Sequence, residues 1–308
     1  MKVEEVRNLR VLISPLNWGF GHVSRCIPLI SQLLDQGNIL FIACNEPQKQ
    51  IFLNYFNETS VKFIQHEGYP FQFSGNGNFA KDLFFSLRLL KIRSRSELSE
   101  VEQMVHSNQI DLIIADHRYT FRSEKCTSIF MTHQLNLPIR WFQFPFNFYH
   151  KTQISKFDFI WLVDNEKKRL SGKLAVIKNQ KNAYYIGIRS RFKLYQKLDE
   201  KVDTVLIISG PKEYWSALFE IFRNELISGE INKILGPKEI YNEIKQLKLS
   251  QEYISSENWR EADKVLLNSK KIYGYIGYTT VMDVEELGCA SKLLPCPGQL
   301  EQIYLSTK

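Results

Sequence analysis

The chain has 308 residues and carries 40 Lys and Arg against 33 Asp and Glu, a net charge of +7. That length exceeds one ordinary core and suits two α/β domains, and no stretch approaches the roughly 20 uninterrupted apolar residues of a membrane-spanning helix. Five scattered cysteines (Cys26, Cys44, Cys126, Cys289, Cys296) without metal-ligand spacing, and a charged start that leads into a strand rather than a signal-peptide core, fit a reducing cytoplasm.

Val11-Leu12-Ile13 reads as a first strand, ending in a loop that holds Asn17, Gly19, Gly21 and His22. An amphipathic helix follows, with Ile27, Leu29, Ile30, Leu33 and Leu34 as its apolar positions. A glycine loop between strand and helix lets backbone approach a ligand, and the helix start offers N–H groups to an anion. A dinucleotide fingerprint would need a third glycine where Ser24 stands and an acid about 20 positions on, but Glu46 lies beyond the second strand. No nicotinamide or flavin site is expected, and no cofactor of any kind. The plainer reading of His22 is a histidine that caps a helix.

Ile39–Ala43 and Val61–Ile64 read as the next strands, with a helix over Pro47–Asn57 between them. The loop Ser74-Gly75-Asn76-Gly77 leads into a long helix from about Phe79 to His106. Leu112–Ala115 is a strand ending at Asp116, and Thr127–Met131 one ending at Thr132-His133-Gln134. This alternation predicts a parallel sheet with helices on both faces, which binds ligands beyond the C-terminal strand ends. His22, Asp116 and His133 all follow strand ends, so folding gathers them at one edge. A carboxylate beside an imidazole fixes its tautomer and stabilises its cation. The plainer alternative makes Asp116 a helix cap, Arg118 and Arg122 surface charges, and His133 structural.

Residues 81–95 mix Leu and Phe with Lys and Arg without one clean apolar stripe, and 141–149 hold six aromatics in nine positions. Core packing and contact with a membrane surface both account for them. The polar, basic run 187–202 reads as a connection between a first domain, 1–186, and a second, 203–308. There, Val205–Ser209 is a strand followed by Gly210-Pro211 and a helix, Ile231–Leu235 and Glu252–Ile254 are further strands, and Asn258–Asn268 is a helix. The segment Tyr273–Ile276 continues through a Gly277-Tyr278-Thr279-Thr280 turn into the helix VMDVEELG, which carries Asp283. Its start offers N–H groups to a diphosphate. The loop Pro295-Cys296-Pro297-Gly298 opens a last helix near Gln299, Glu301 and Gln302. The basic balance favours an anionic partner, and no recognition helix, zinc spacing or RNA-binding aromatic motif points to nucleic acid.

The first loop and helix, GFGHVSRCIPLISQLLDQG, resemble those of the nucleotide-sugar glycosyltransferases built on two Rossmann-like domains, the GT-B type. Within these the chain is most similar to MurG-like bacterial enzymes (family 28-like), and the ordered landmarks run through both halves. The resemblance implies an interdomain cleft and inverting, metal-independent transfer of a sugar such as N-acetylglucosamine from a UDP-sugar to an acceptor hydroxyl. It implies His22 as base with Asp116 orienting it, and Asn17, Gly19, Gly21 and His133 on the acceptor side. For the donor it implies Arg191 near the phosphates, Ser209, Gly210, Gly277, Thr279 and Thr280 at the diphosphate, Asp283 on the ribose, and Gln299, Glu301 and Gln302 on the sugar. Glu286 is the neighbour that competes with Asp283. Gln134 stands where the MurG branch has an acidic residue. The acceptor implied is lipid-linked or a cell-envelope glycan, with peripheral contact at the inner membrane face through 81–95 or 141–149. Family members continue past the last motif, so the C-terminal crossover helices are expected to be missing from a chain ending at Lys308. A nucleotide-sugar epimerase or hydrolase, or a silent sugar-nucleotide-binding protein, are the alternatives.

Overall fold

A computed structural model describes residues 1–71, 74, 79–138, 144–167, 170–178 and 180–308. The glycine loop at 75–77 and positions 141–143 of the aromatic segment lie outside the described residues. The chain divides into two compact units, one containing Met1–Gln72 and Lys81–Arg191, the other Phe192–Lys308.

The first unit runs β1 (Arg10–Pro15), α1 (Gly21–Asp35), β2 (Ile39–Cys44), α2 (Glu46–Phe52), β3 (Val61–Gln65), α3 (Phe79–Asn108), β4 (Leu112–Asp116), β5 (Thr127–Thr132), α4 (Phe144–Ile154), β6 (Phe159–Leu162) and β7 (Ala183–Tyr185). All seven strands are parallel, in the order β3-β2-β1-β4-β5-β6-β7. The central strands are near-continuous apolar runs because helices cover both faces of such a sheet. Leu12, Phe41, Ile113 and Phe130 form one core with Val101 and Val105 of α3. Pro15 pairs in register with Asp116, so the chain leaves β1 and β4 side by side.

One local outcome differs from the sequence reading. Helix α2 starts where a capping box of Asn45 and Gln48 sets it, but it stops at Phe52 rather than Asn57. The Asn57 side chain accepts from Ser60 N at 2.8 Å and Thr59 Oγ1 at 2.7 Å, a local turn that competes with helix. Tyr184 and Tyr185, read as the end of the first domain, lie in β7, the last strand of its sheet.

The second unit runs β8 (Asp203–Ile207), α5 (Trp215–Ile221), α6 (Arg223–Ile227), β9 (Lys233–Gly236), α7 (Tyr241–Gln246), β10 (Glu252–Ser255), α8 (Trp259–Leu267), β11 (Ser269–Tyr275), α9 (Tyr278–Leu287), β12 (Ala290–Leu294) and α10 (Leu300–Ser306). Its five strands are parallel in the order β10-β9-β8-β11-β12. Each sheet therefore reverses its winding once, between β1 and β4 and between β8 and β11. Ligands of open α/β sheets sit outside the carboxyl ends of the strands at such a switch point. Two Rossmann-like units of this kind make the fold GT-B.

Candidate active site

At the first switch point Gly19 takes φ +100, a left-handed turn that favours glycine, and the chain enters α1 at Gly21. Asn17 is committed to the scaffold: its amide donates to Tyr69 O at 3.1 Å and accepts from Tyr69 N at 2.8 Å. A Cβ on Gly68 would lie 2.1 Å from that side chain, so the pairing needs glycine there.

His22, in the first turn of α1, places Nδ1 2.9 Å from Oδ2 of Asp116, the last residue of β4. The strand-end argument thus brings the two side chains into direct contact. Asp116 caps no helix, since the chain continues as loop after β4. It is fully buried, while 16% of the His22 side chain remains exposed. Among the described residues no hydrogen bond engages Nε2 of His22.

Arg25, one turn along α1, was not singled out by the sequence, yet it is only 2% exposed and forks onto Asp116. Its Nε donates to Oδ2 at 2.9 Å, its second terminal nitrogen pairs with Oδ1, and NH1 reaches Nδ1 of His133 at 2.9 Å. Arginine can only donate, so this contact has His133 accepting at Nδ1; the Gln134 side-chain nitrogen lies 3.2 Å from His133 Nε2, and a proton there pairs with Gln134 once that amide is turned to present its oxygen. The Gln134 carbonyl accepts from His150 Nε2 at 2.8 Å, which leaves His150 Nδ1 to accept from the Tyr119 hydroxyl at 2.6 Å. The signal for Arg25 lay in its neighbours: Val23, Cys26, Ile27, Leu29 and Ile30 are all buried, so no face of this turn is left for a surface charge.

Charge in this cluster follows from burial and from Arg25. Burial lowers the pKa of His22, the Arg25 cation lowers it further, and Asp116 only partly restores it. Burial opposes ionisation of Asp116, but Arg25 and then His22 outweigh it and hold the carboxyl below its usual range. The result at neutral pH is a neutral imidazole beside a balanced ion pair, the state a general base requires.

At the second switch point the chain leaves β8 through Ser209 and Gly210, the latter at φ +83 with its carbonyl accepting from Trp215 Nε1 at 3.0 Å. Helix α9 begins at Tyr278, three residues before the predicted VMDVEELG, so Gly277 is its N-cap and Thr279 and Thr280 lie in its first turn. Asp283 is buried in its second turn. Glu286 pairs with Lys197 at 3.3 Å. Gln299 precedes α10 and Glu301 lies in its first turn, while Gln302 accepts from Cys296 N at 2.7 Å and so holds the loop at Gly298. Arg191 is buried in the first unit, donating to Ser24 Oγ of α1 at 2.9 Å. Among the described residues no group of three His, Cys, Asp or Glu side chains is placed to hold a metal ion.

The fold and these two edges define the class to which the chain is structurally similar. The kitacinnamycin glycotransferase superposes with a TM-score of 0.65 at 12% identity, covering 98% of this chain and 84% of its own. Arabidopsis thaliana UGT89C1, in complex with UDP-L-rhamnose, gives 0.61 at 13% identity, covering 98% of this chain and 82% of its own. MurG of Acinetobacter baumannii gives 0.52 at 11%, covering 96% and 82%. No protein-family model matches the sequence, and no curated protein matches it. At these identities the likeness is one of fold.

Proposed function

We propose that the chain is an inverting, metal-independent glycosyltransferase that moves a sugar, N-acetylglucosamine-like, from a UDP-sugar to an acceptor hydroxyl. The observation that carries this reading is the His22–Asp116 contact at the first switch point, with a neutral imidazole whose Nε2 is engaged by no described residue. In the proposed step the acceptor oxygen attacks the anomeric carbon as His22 Nε2 takes its proton, and the bond from that carbon to the diphosphate oxygen breaks. General-base help of this kind is worth roughly 100 to 10,000-fold. The departing UDP carries its charge to the edge made by Ser209, Gly210, Gly277, Thr279 and Thr280, where backbone N–H groups and the start of α9 favour an anion. Asp283 takes the ribose, with Gln299, Glu301 and the remaining amide of Gln302 on the sugar. Arg191 and His133 act from the first unit, Arg191 through α1 and His133 through Arg25.

Two expected results follow from this assignment. Replacing Asp283 with Ala should weaken UDP binding by about 1–3 kcal/mol, the loss of a buried hydrogen-bonded partner. Calorimetry reads it, and unchanged affinity in a folded variant moves the ribose elsewhere.

The second concerns the acceptor, for which we favour a lipid-linked or cell-envelope glycan. No helix among the described residues is long and apolar enough to cross a membrane. On α3, however, Phe85, Leu89 and Ile92 are exposed, Phe85 at 70%, and their spacing makes one stripe where the sequence showed none. Arg88, Lys91 and Arg95 are exposed around it. On α4, Phe146, Phe148 and Tyr149 are exposed as well. Such a face suits an anionic membrane surface. The paired change Phe85→Ser and Leu89→Ser should lower sedimentation with phosphatidylglycerol-containing vesicles about tenfold, from the apolar area withdrawn. Equal binding by the paired variant and the parent chain would remove this face from the account.

A further inference from the structure

We infer that Arg25 is the positioning residue that sorts His22 and His133 into opposite tautomers, leaving the acceptor nitrogen of His22 at Nε2 and that of His133 sealed. The geometry forces a choice. Nδ1 of His22 lies 2.9 Å from Asp116 Oδ2 and 2.8 Å from the second terminal nitrogen of Arg25, and a single ring nitrogen offers either a proton or a lone pair.

If the proton sits on Nε2, the Nδ1 lone pair faces a fully buried carboxylate oxygen, and the base is lost. If it sits on Nδ1, the contact with Asp116 becomes a charge-assisted hydrogen bond. Arg25 gives up little in that case, because its second terminal nitrogen already pairs with Asp116 Oδ1 and its Nε with Oδ2. The fork therefore turns the carboxylate so that Oδ2 meets both Arg25 Nε and His22 Nδ1. From the other end of the same guanidinium, NH1 donates to His133 Nδ1 and occupies the lone pair that would make His133 a base, while the Gln134 amide, 3.2 Å from Nε2, turns its oxygen to the proton there.

Among the described residues, the charged and titratable groups that face His22 come from α1, from β4 and from the loops after β4 and β5. Arg25 and Cys26 come from α1, Asp116 from β4, His117 from the following loop with its ring centroid 6.1 Å away, and His133 from the loop after β5. Arg25 and Asp116 cancel, so His22 does not face a lone carboxylate that would keep it protonated. Asp116 supplies orientation, and Arg25 supplies the balance that keeps the base unloaded until it is used.

The inference rests on the transferase reading only in naming His22 the base; the tautomers themselves are independent of it. The test is a two-bond ¹H–¹⁵N correlation spectrum of the full chain with ¹⁵N-labelled histidine, recorded from pH 5 to 8.5 and assigned with His22→Gln and His133→Gln. The expected result is Nδ1–H for His22 and Nε2–H for His133. Nε2–H at His22, or Nδ1–H at His133, overturns the inference, and this arm needs no variant at Arg25.

Two variants extend the test. Arg25→Met should raise the midpoint of His22 titration by about one unit or more, since Asp116 then faces it alone. Arg25→Lys keeps the charge but not the fork, so His133 should show mixed tautomers and kcat should fall about tenfold with KM held. His133 unchanged in Arg25→Lys contradicts the inference. The expected tautomers in a chain that turns over no sugar nucleotide overturn the transferase reading alone.

Discussion

His22→Ala should lower turnover by about two or more orders of magnitude while leaving UDP affinity nearly constant. The side chain sits at the first switch point, whereas the residues assigned to the donor, Arg191 apart, lie in the other unit. Its removal therefore takes away proton transfer and no donor contact. Single-turnover kinetics beside calorimetry separate the two, and a parallel loss of affinity and rate would make His22 a binding residue. Asp116→Asn is a less direct probe than the sequence suggests. Asp116 also holds Arg25, so its neutralisation leaves a buried guanidinium without its counterion and costs stability as well as rate. The effects of His22 and Asp116 should not add, because each acts through the other.

Arg118→Met should destabilise the first unit by about 3–5 kcal/mol, read by urea unfolding. Arg118 is fully buried, not the surface charge its sequence context suggested. It forks onto Glu97 of α3, reaches Ser14 Oγ at 3.2 Å and donates to Glu67 O at 3.1 Å. Glu97 also takes the Tyr69 hydroxyl at 2.6 Å, the Thr120 hydroxyl, and His66 Nε2 at 3.2 Å. Without Arg118 that carboxylate stays buried with no full cation of its own, and Glu97→Gln in the same chain should recover part of the loss.

The pair has a pH signature. Burial opposes ionisation of Glu97, but Arg118 and the hydrogen bonds hold its pKa down to about 2 against an ordinary 4.5. A depressed acid stabilises the fold fully above its unfolded value and loses that contribution as pH falls toward its folded one. Stability should therefore drop between about pH 4.5 and 2, and less steeply in Arg118→Met. A loss below about 1 kcal/mol at neutral pH would show that the carboxylate is accommodated without its partner.

The sequence made the architecture legible through periodicity. Apolar runs at Val11–Ile13 and Leu112–Ala115, short and alternating with helical patterns, read as strands covered on both faces, and their ends carried His22 and Asp116 into contact. Residues that act through a fold-dependent neighbour stayed hidden. Arg25 and Arg118 look like any helical or loop arginine until burial is known, and each proves to balance a buried carboxylate. Asn17 was legible as a loop residue, but its work is to clamp Tyr69, a partner 52 positions away. The start of α9 was read late because Gly277-Tyr278-Thr279-Thr280 has the composition of a turn. Glycine as N-cap lets the helix begin at once, which puts both threonines on its first turn. In α3 Val101 and Val105 pack into the core while Phe85, Leu89 and Ile92 stay exposed, so composition alone could not separate packing from an exposed stripe.

The central claim is transfer with inversion from a UDP-sugar to a hydroxyl, and proton NMR of the reaction itself tests it most directly. The chain is incubated with α-linked UDP-N-acetylglucosamine and a panel of lipid-linked and glycan acceptors, and the anomeric signals are followed with UDP release. The account predicts a β-linked product in step with UDP, absent with His22→Ala. Free sugar or an epimer released equally with and without acceptor, or an α-linked product, would contradict it.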